Sequence, residues 1–288
     1  MRRLVPCIVS ILLLTACVDE ASPPVTSAPT TSSTSTSLTR DTANTPTTTI
    51  AEDACPAGDV MLADGGLADF DPPSSDATRI AGIGWRASGD CQLFTISFAT
   101  EDGAPATTPP ALSARLLRTA GVLRVETSAT NSVVADQLVE SGPVERIFVP
   151  VTEEGTRFVD LVLGGPVVAR ARLQTSPARV EIELQPGGPE LIGHPLMTGR
   201  LVVVEPGSAA VASSVLDVTG YSTGDSATFD LTINRGGQPL VETALETRES
   251  PGVWSAFNVM IQVGVDAYDT LQVVDENGSV VAAIPFSR

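Results

Sequence analysis

Phe94, Ile96 and Phe98 alternate with Thr95 and Ser97, and this period of two predicts a strand with one face turned to a core. The same signature recurs from Cys55 to about Gly188. Leu112, Ala114 and Leu116 lead through Ala120-Gly121 into Val122-Leu123-Arg124-Val125, and Ile147-Phe148-Val149 precedes a turn at Glu153-Glu154-Gly155 and the run Phe158 to Leu163. Ser132 to Glu140 is the one stretch whose pattern predicts a short helix. Next, Val167, Ala169, Ala171 and Leu173 share one face of a strand, and Val180, Ile182 and Leu184 share one face of its successor. If residues 175–178 form the loop between them, antiparallel pairing sets Arg172 opposite Glu181 and Arg170 opposite Glu183. Arginine and glutamate then alternate on the solvent side while the apolar set points inward.

Beyond Gly188 comes a Gly- and Pro-containing joint at 188–199 that includes His194-Pro195. After it, Phe229, Leu231 and Ile233 alternate with polar neighbours, Asn234-Arg235-Gly236-Gly237 makes a turn, and the chain returns as a strand from Leu240. Asn277-Gly278, set between two apolar runs, predicts a hairpin with a type I′ turn. The pattern gives an all-β fold, with two antiparallel β-sandwich domains at 55–187 and 200–288.

The chain ahead of the first strand has another character. Arg2-Arg3 followed by an apolar run from Leu4 to Leu14 has the layout of a secretory signal peptide, too short to span a bilayer. Leu14-Thr15-Ala16-Cys17 resembles the lipobox of bacterial lipoproteins, which implies a signal peptide at 1–16, a lipid on Cys17 and a place on the extracytoplasmic face of the cell membrane. From Ser22 to Ile50, 21 of 29 residues are Ser, Thr or Pro, too few apolar groups to offset the entropy of ordering, so 17–54 reads as a disordered tether. With Cys7 lost in the signal and Cys17 lipidated, Cys55 and Cys91 are left to form a disulfide in an oxidising compartment.

Two further resemblances bear on function. Phe158-Val159-Asp160-Leu161 through Leu173 to Pro177-Ala178-Arg179-Val180-Glu181-Ile182 resembles the end of AMIN and AMIN-like domains, β-sandwiches of envelope proteins linked to peptidoglycan-directed targeting. Val203-Val204-Glu205-Pro206-Gly207-Ser208, Leu216-Asp217-Val218-Thr219-Gly220, Gly252-Val253-Trp254-Ser255-Ala256-Phe257 and Tyr268-Asp269-Thr270-Leu271-Gln272-Val273 resemble, in order, the GerMN-associated immunoglobulin-like domain of spore germination lipoproteins. That likeness implies an envelope interaction module without catalytic residues. The GerMN domain itself is not visible in the chain.

Charge narrows the partners. The formal net charge is −17, lysine is absent and every basic residue is an arginine, a balance that disfavours nucleic acid and other polyanions. Gly220-Tyr221-Ser222-Thr223-Gly224 matches a nucleophile elbow, yet that motif needs a following helix and a downstream histidine, and His194 lies upstream. Asp59, Asp64, Asp69, Asp71 and Asp76 offer oxygen ligands but fit no EF-hand spacing, so they read as a solvated acidic loop. Trp254 and Phe257 are expected in a core rather than on a sugar-binding surface, and Arg170, Arg172 and Arg179 are expected to be internally paired. No metal, cofactor or catalytic residue is assigned. The expected function is a non-catalytic envelope lipoprotein, anchored in the membrane, that binds or scaffolds an envelope protein or the peptidoglycan wall. The alternative is a wall hydrolase or its direct activator.

Overall fold

Nineteen strands and no helix run through the described residues of a computed structural model, which are 60–62, 69–140, 142–224, 228–246, 250–264 and 268–286. Cys17, Cys55, Asp59, Asp64 and the expected signal and tether lie outside them. The first eleven strands are β1 (Val60–Leu62), β2 (Arg79–Ser88), β3 (Cys91–Ala99), β4 (Leu112–Leu117), β5 (Val122–Thr127), β6 (Asn131–Ser132), β7 (Asp136–Leu138), β8 (Val144–Phe148), β9 (Arg157–Leu163), β10 (Val167–Gln174) and β11 (Arg179–Pro186). Then follow β12 (Leu196–Met197), β13 (Leu201–Glu205), β14 (Val215–Gly224), β15 (Thr228–Arg235), β16 (Gln238–Glu246), β17 (Ser250–Gln262), β18 (Thr270–Val274) and β19 (Val280–Pro285).

The first eleven make a six-stranded sheet, β1-β10-β11-β3-β2-β6, and a five-stranded sheet, β4-β5-β9-β8-β7. Phe94, Ile96, Val180 and Ile182 of the former meet Leu123, Val125, Val159 and Leu161 of the latter in one core. The last eight strands make two four-stranded sheets, β12-β13-β14-β17 and β16-β15-β18-β19, around a second core of Leu201, Val203, Val218, Leu231, Ile233 and Leu271. Both sandwiches belong to a single compact unit, Ile50–Arg288. A third cluster joins them: Val122, Phe148, Phe158 and Val162 on the outer side of the five-stranded sheet pack against Val202, Val204, Tyr221 and Trp254.

Three local expectations need correction. The helix at Ser132–Glu140 is instead β6, a turn and β7. Ser132 Oγ accepts from the Val134 amide and donates to its carbonyl, a local alternative to helical bonding, while Asp136 to Leu138 find partners on β8. At Asn277-Gly278 only Gly278 has positive φ, because the Asp275 carboxylate accepts from the Asn277 and Ser279 amides and draws the chain into a wider loop. The two-residue turn with positive φ at both positions occurs earlier, at Gly236-Gly237 between Arg235 and Gln238. Third, the arginine and glutamate register is as expected, with Arg172 opposite Glu181 and Arg170 opposite Glu183, but the glutamates are buried rather than solvated. Arg172 Nε donates to Glu181 at 3.1 Å, Arg170 Nη1 to Glu183 at 3.1 Å, and Arg179 lies 3.1 Å from Glu181.

Candidate functional site

The seam between the two sandwiches gathers an aromatic cluster and a buried arginine–aspartate pair. Phe158, Asp160 and Val162 alternate along β9 toward the seam, while Val159, Leu161 and Leu163 enter the first core. Every residue of this strand after Arg157 is buried, since both faces are covered. Val202 and Val204 do the same on β13 opposite Leu201 and Val203.

Asp160 is wholly buried, and Arg124, its register partner on β5, donates to it from Nε and Nη2 at 2.8 Å each. The guanidinium also sits 4.4 Å from the centre of the Phe158 ring. Burial raises the Asp160 pKa and the nearby Arg124 opposes that rise; burial lowers the Arg124 pKa, but the Asp160 charge more than reverses it. The bidentate geometry supports a charged pair, and the net rise at Asp160 means that desolvation is not fully offset. Tyr221, from the other sandwich, is buried beside this pair. Its hydroxyl makes no hydrogen bond of normal geometry, and burial and the Asp160 charge raise its pKa. Around it stand Phe148 at 4.9 Å and Trp254 at 5.8 Å between ring centres.

Backbone contacts fasten the seam at both ends. The Val151 amide donates to the Trp254 carbonyl and the Ala256 amide to the Val151 carbonyl, each at 2.9 Å, so a segment of the first sandwich extends the β17 edge. At the other end the β4–β5 turn inserts between residues 190–193 and 206–208. Ile192 donates to the Arg118 carbonyl at 3.0 Å, and Arg118 Nη2 donates to the Glu190 carbonyl at 2.8 Å. A Cβ on Gly193 or on Gly207 would lie 2.1 Å from the Thr119 carbonyl oxygen, so glycine is required at both positions. The expected joint is therefore a clamped segment that contains β12.

Beside the seam opens a cleft of about 550 Å³ lined by Arg124, Glu126 and Arg157 of the first sandwich and by Gly220, Phe257 and Asn258 of the second. Arg157 donates to the carbonyl oxygens of Thr130 at 3.4 Å and Val149 at 3.5 Å, and burial lowers its pKa. Glu126 is tied to Arg115 at 2.5 Å. The lining thus mixes donors and acceptors, with Arg124 and Glu126 already engaged within the protein.

The residues singled out in the sequence scatter. Ser222 is buried within β14 on the face of Leu216 and Val218, opposite Leu201 and Ser255, so it occupies a strand rather than an exposed elbow. Gly220 is explained by packing, since a Cβ there would meet the Val202 carbonyl oxygen at 2.1 Å. His194 lies in the clamped segment, 3.5 Å from Glu145. Trp254 and Phe257 are both buried but on opposite faces of β17, the first in the seam and the second in the core of its own sandwich. Asp76 accepts from the Thr107 and Thr108 amides at 2.9 and 2.8 Å, which lowers its pKa to about 2 and commits it to loop structure. Among the described residues no group of three or more His, Cys, Asp or Glu gathers as a metal site. Cys91 is buried at the head of β3, while Cys55 is outside the described residues.

Sequence reasoning missed Arg124, Asp160 and Tyr221. A signal existed: Arg124 and Asp160 interrupt runs that are otherwise apolar at every position, the mark of a strand covered on both faces. No known family model, no curated protein and no solved structure matches the chain.

Proposed function

We propose that this chain is a non-catalytic envelope lipoprotein, anchored through Cys17 and carrying an AMIN-like and an immunoglobulin-like sandwich that together form one binding or scaffolding platform. The observation that carries the reading is the seam. A buried aromatic cluster and clamped backbone fix the two sandwiches in one orientation, and a fixed orientation suits a surface presented to a partner. The lipobox-like stretch Leu14-Thr15-Ala16-Cys17 and the Ser/Thr/Pro tract that follows support delivery of that platform outside the membrane. In the same compartment Cys55 and Cys91 form the disulfide of the mature chain.

Photo-crosslinking in intact cells, followed by identification of the attached species, tests the platform. A discrete envelope protein or peptidoglycan adduct is expected. A purified activity on wall material that falls more than about tenfold in Ser222→Ala or His194→Ala, with the fold intact, would replace this reading with an enzymatic one. Membrane retention of Cys17→Ser would remove the anchor, and two free thiols in the unfolded secreted chain would remove the disulfide.

A further inference from the structure

Against the clamp lies a groove of about 430 Å³, bounded by Ile192, Glu205, Pro206, Val211, Val215 and Asp217. Large apolar side chains are otherwise mostly buried in this molecule, yet Ile192, Val211 and Val215 are 52, 69 and 41% exposed. Met260, 65% exposed, extends the same surface: it lies opposite Asp217 on β17, on the face of the sheet that Val215 shares, and is a diagonal neighbour of Val215. A contiguous apolar patch with a polar border marks an interaction surface more often than scattered apolar residues do.

Charge decides what fits. Glu205 and Asp217 are the only charged residues lining the groove, and neither makes an ion pair among the described residues. A second copy of the chain would bring these carboxylates against their own equivalents if it docked symmetrically. Six of its seventeen arginines, Arg115, Arg124, Arg146, Arg170, Arg172 and Arg179, are in any case already paired with carboxylates of their own chain. An anionic lipid surface meets the same repulsion. The groove walls are preformed by the contacts that hold residues 190–193 and 206–208 to Thr119 and Arg118, which lowers the ordering cost of binding.

We infer that this groove docks a segment of a partner protein that carries apolar side chains together with lysine or arginine. The inference deepens the platform reading by naming the chemistry of its partner, and it is independent of where the chain is anchored.

The test uses the purified full-length chain and three fluorescein-labelled peptides: alternating leucine and lysine, alternating leucine and glutamate, and alternating glycine and lysine. The leucine–lysine peptide should bind with one-to-one stoichiometry. Val211→Asp should weaken it by at least about tenfold with the melting temperature unchanged. Glu205→Arg combined with Asp217→Arg should transfer preference to the leucine–glutamate peptide. A chain that remains strongly acidic elsewhere would not switch if binding came from its overall charge. Binding indifferent to Val211→Asp, equal binding of the glycine–lysine peptide, or a dimer in sedimentation that Val211→Asp dissolves would overturn the proposal. If the peptides fail while crosslinking still captures an envelope partner, the groove assignment falls and the platform stands. If crosslinking captures nothing while the peptides behave as expected, the reverse holds.

Discussion

Two arginine–carboxylate pairs, built on the same cross-strand register, end in different surroundings on opposite sides of the first sandwich. Arg172 faces Glu181 across β10 and β11 on the outer side of the six-stranded sheet, where a third of the arginine side chain remains in solvent. Arg124 faces Asp160 across β5 and β9, where the second sandwich closes over the sheet and the carboxylate is wholly buried. In both cases the antiparallel register places the two residues directly opposite each other. What covers the pair sets its cost, because desolvation rises steeply once water is removed from both partners.

That contrast can be broken first at its origin, the cover. Trp254→Ala empties the centre of the seam and should cost about 3–5 kcal/mol, with calorimetry showing two separated transitions where the parent has one. A single transition with little loss would mean that the two sandwiches do not depend on each other.

Asp160→Ala comes next, at about 3 kcal/mol in urea unfolding, because it strands Arg124 in the seam. Replacing the pair together, Arg124→Met with Asp160→Leu, should restore stability to within about 1 kcal/mol of the parent. Failure of that rescue would show that the pair contributes net stability rather than only orientation.

Arg170→Ala and Arg172→Ala should cost about 1 kcal/mol each, since these arginines are part-exposed and water can reach the glutamates they leave. They should leave sedimentation with purified wall material unaltered. A cost equal to that of Asp160→Ala would erase the difference between the two sides. Loss of wall binding at an unchanged melting temperature would make the outer ladder an anion site.

The smallest effect separates both from an exposed carboxylate held by amides alone. The Asp76 pKa is lowered from 3.8 to about 2 by the Thr108 and Thr107 amides, so its contribution is present above about pH 4 and is lost as the pH falls through 2. Asp76→Asn should flatten the pH dependence of the melting temperature in that window. An unchanged acid profile would mean that these amide bonds carry no stability.

The sequence by itself determined which residues of a strand share a face. Alternation over Val167 to Leu184 set an in/out pattern, and a loop of residues 175–178 then left one register that kept all apolar residues on one face, which is why Arg172 and Glu181 were paired correctly. The all-β class followed from many short runs of period two. Only the tertiary structure decided the rest. Ser132 to Glu140 became sheet because neighbouring strands supplied hydrogen bonds that outweighed a weak helical preference. Trp254 went to the seam rather than to its own core, although β17 alone offers both faces. The site at the seam joins residues more than sixty positions apart, Asp160 with Tyr221 and Phe148 with Trp254, and no periodicity along a chain can encode which of two buried faces another sheet will cover.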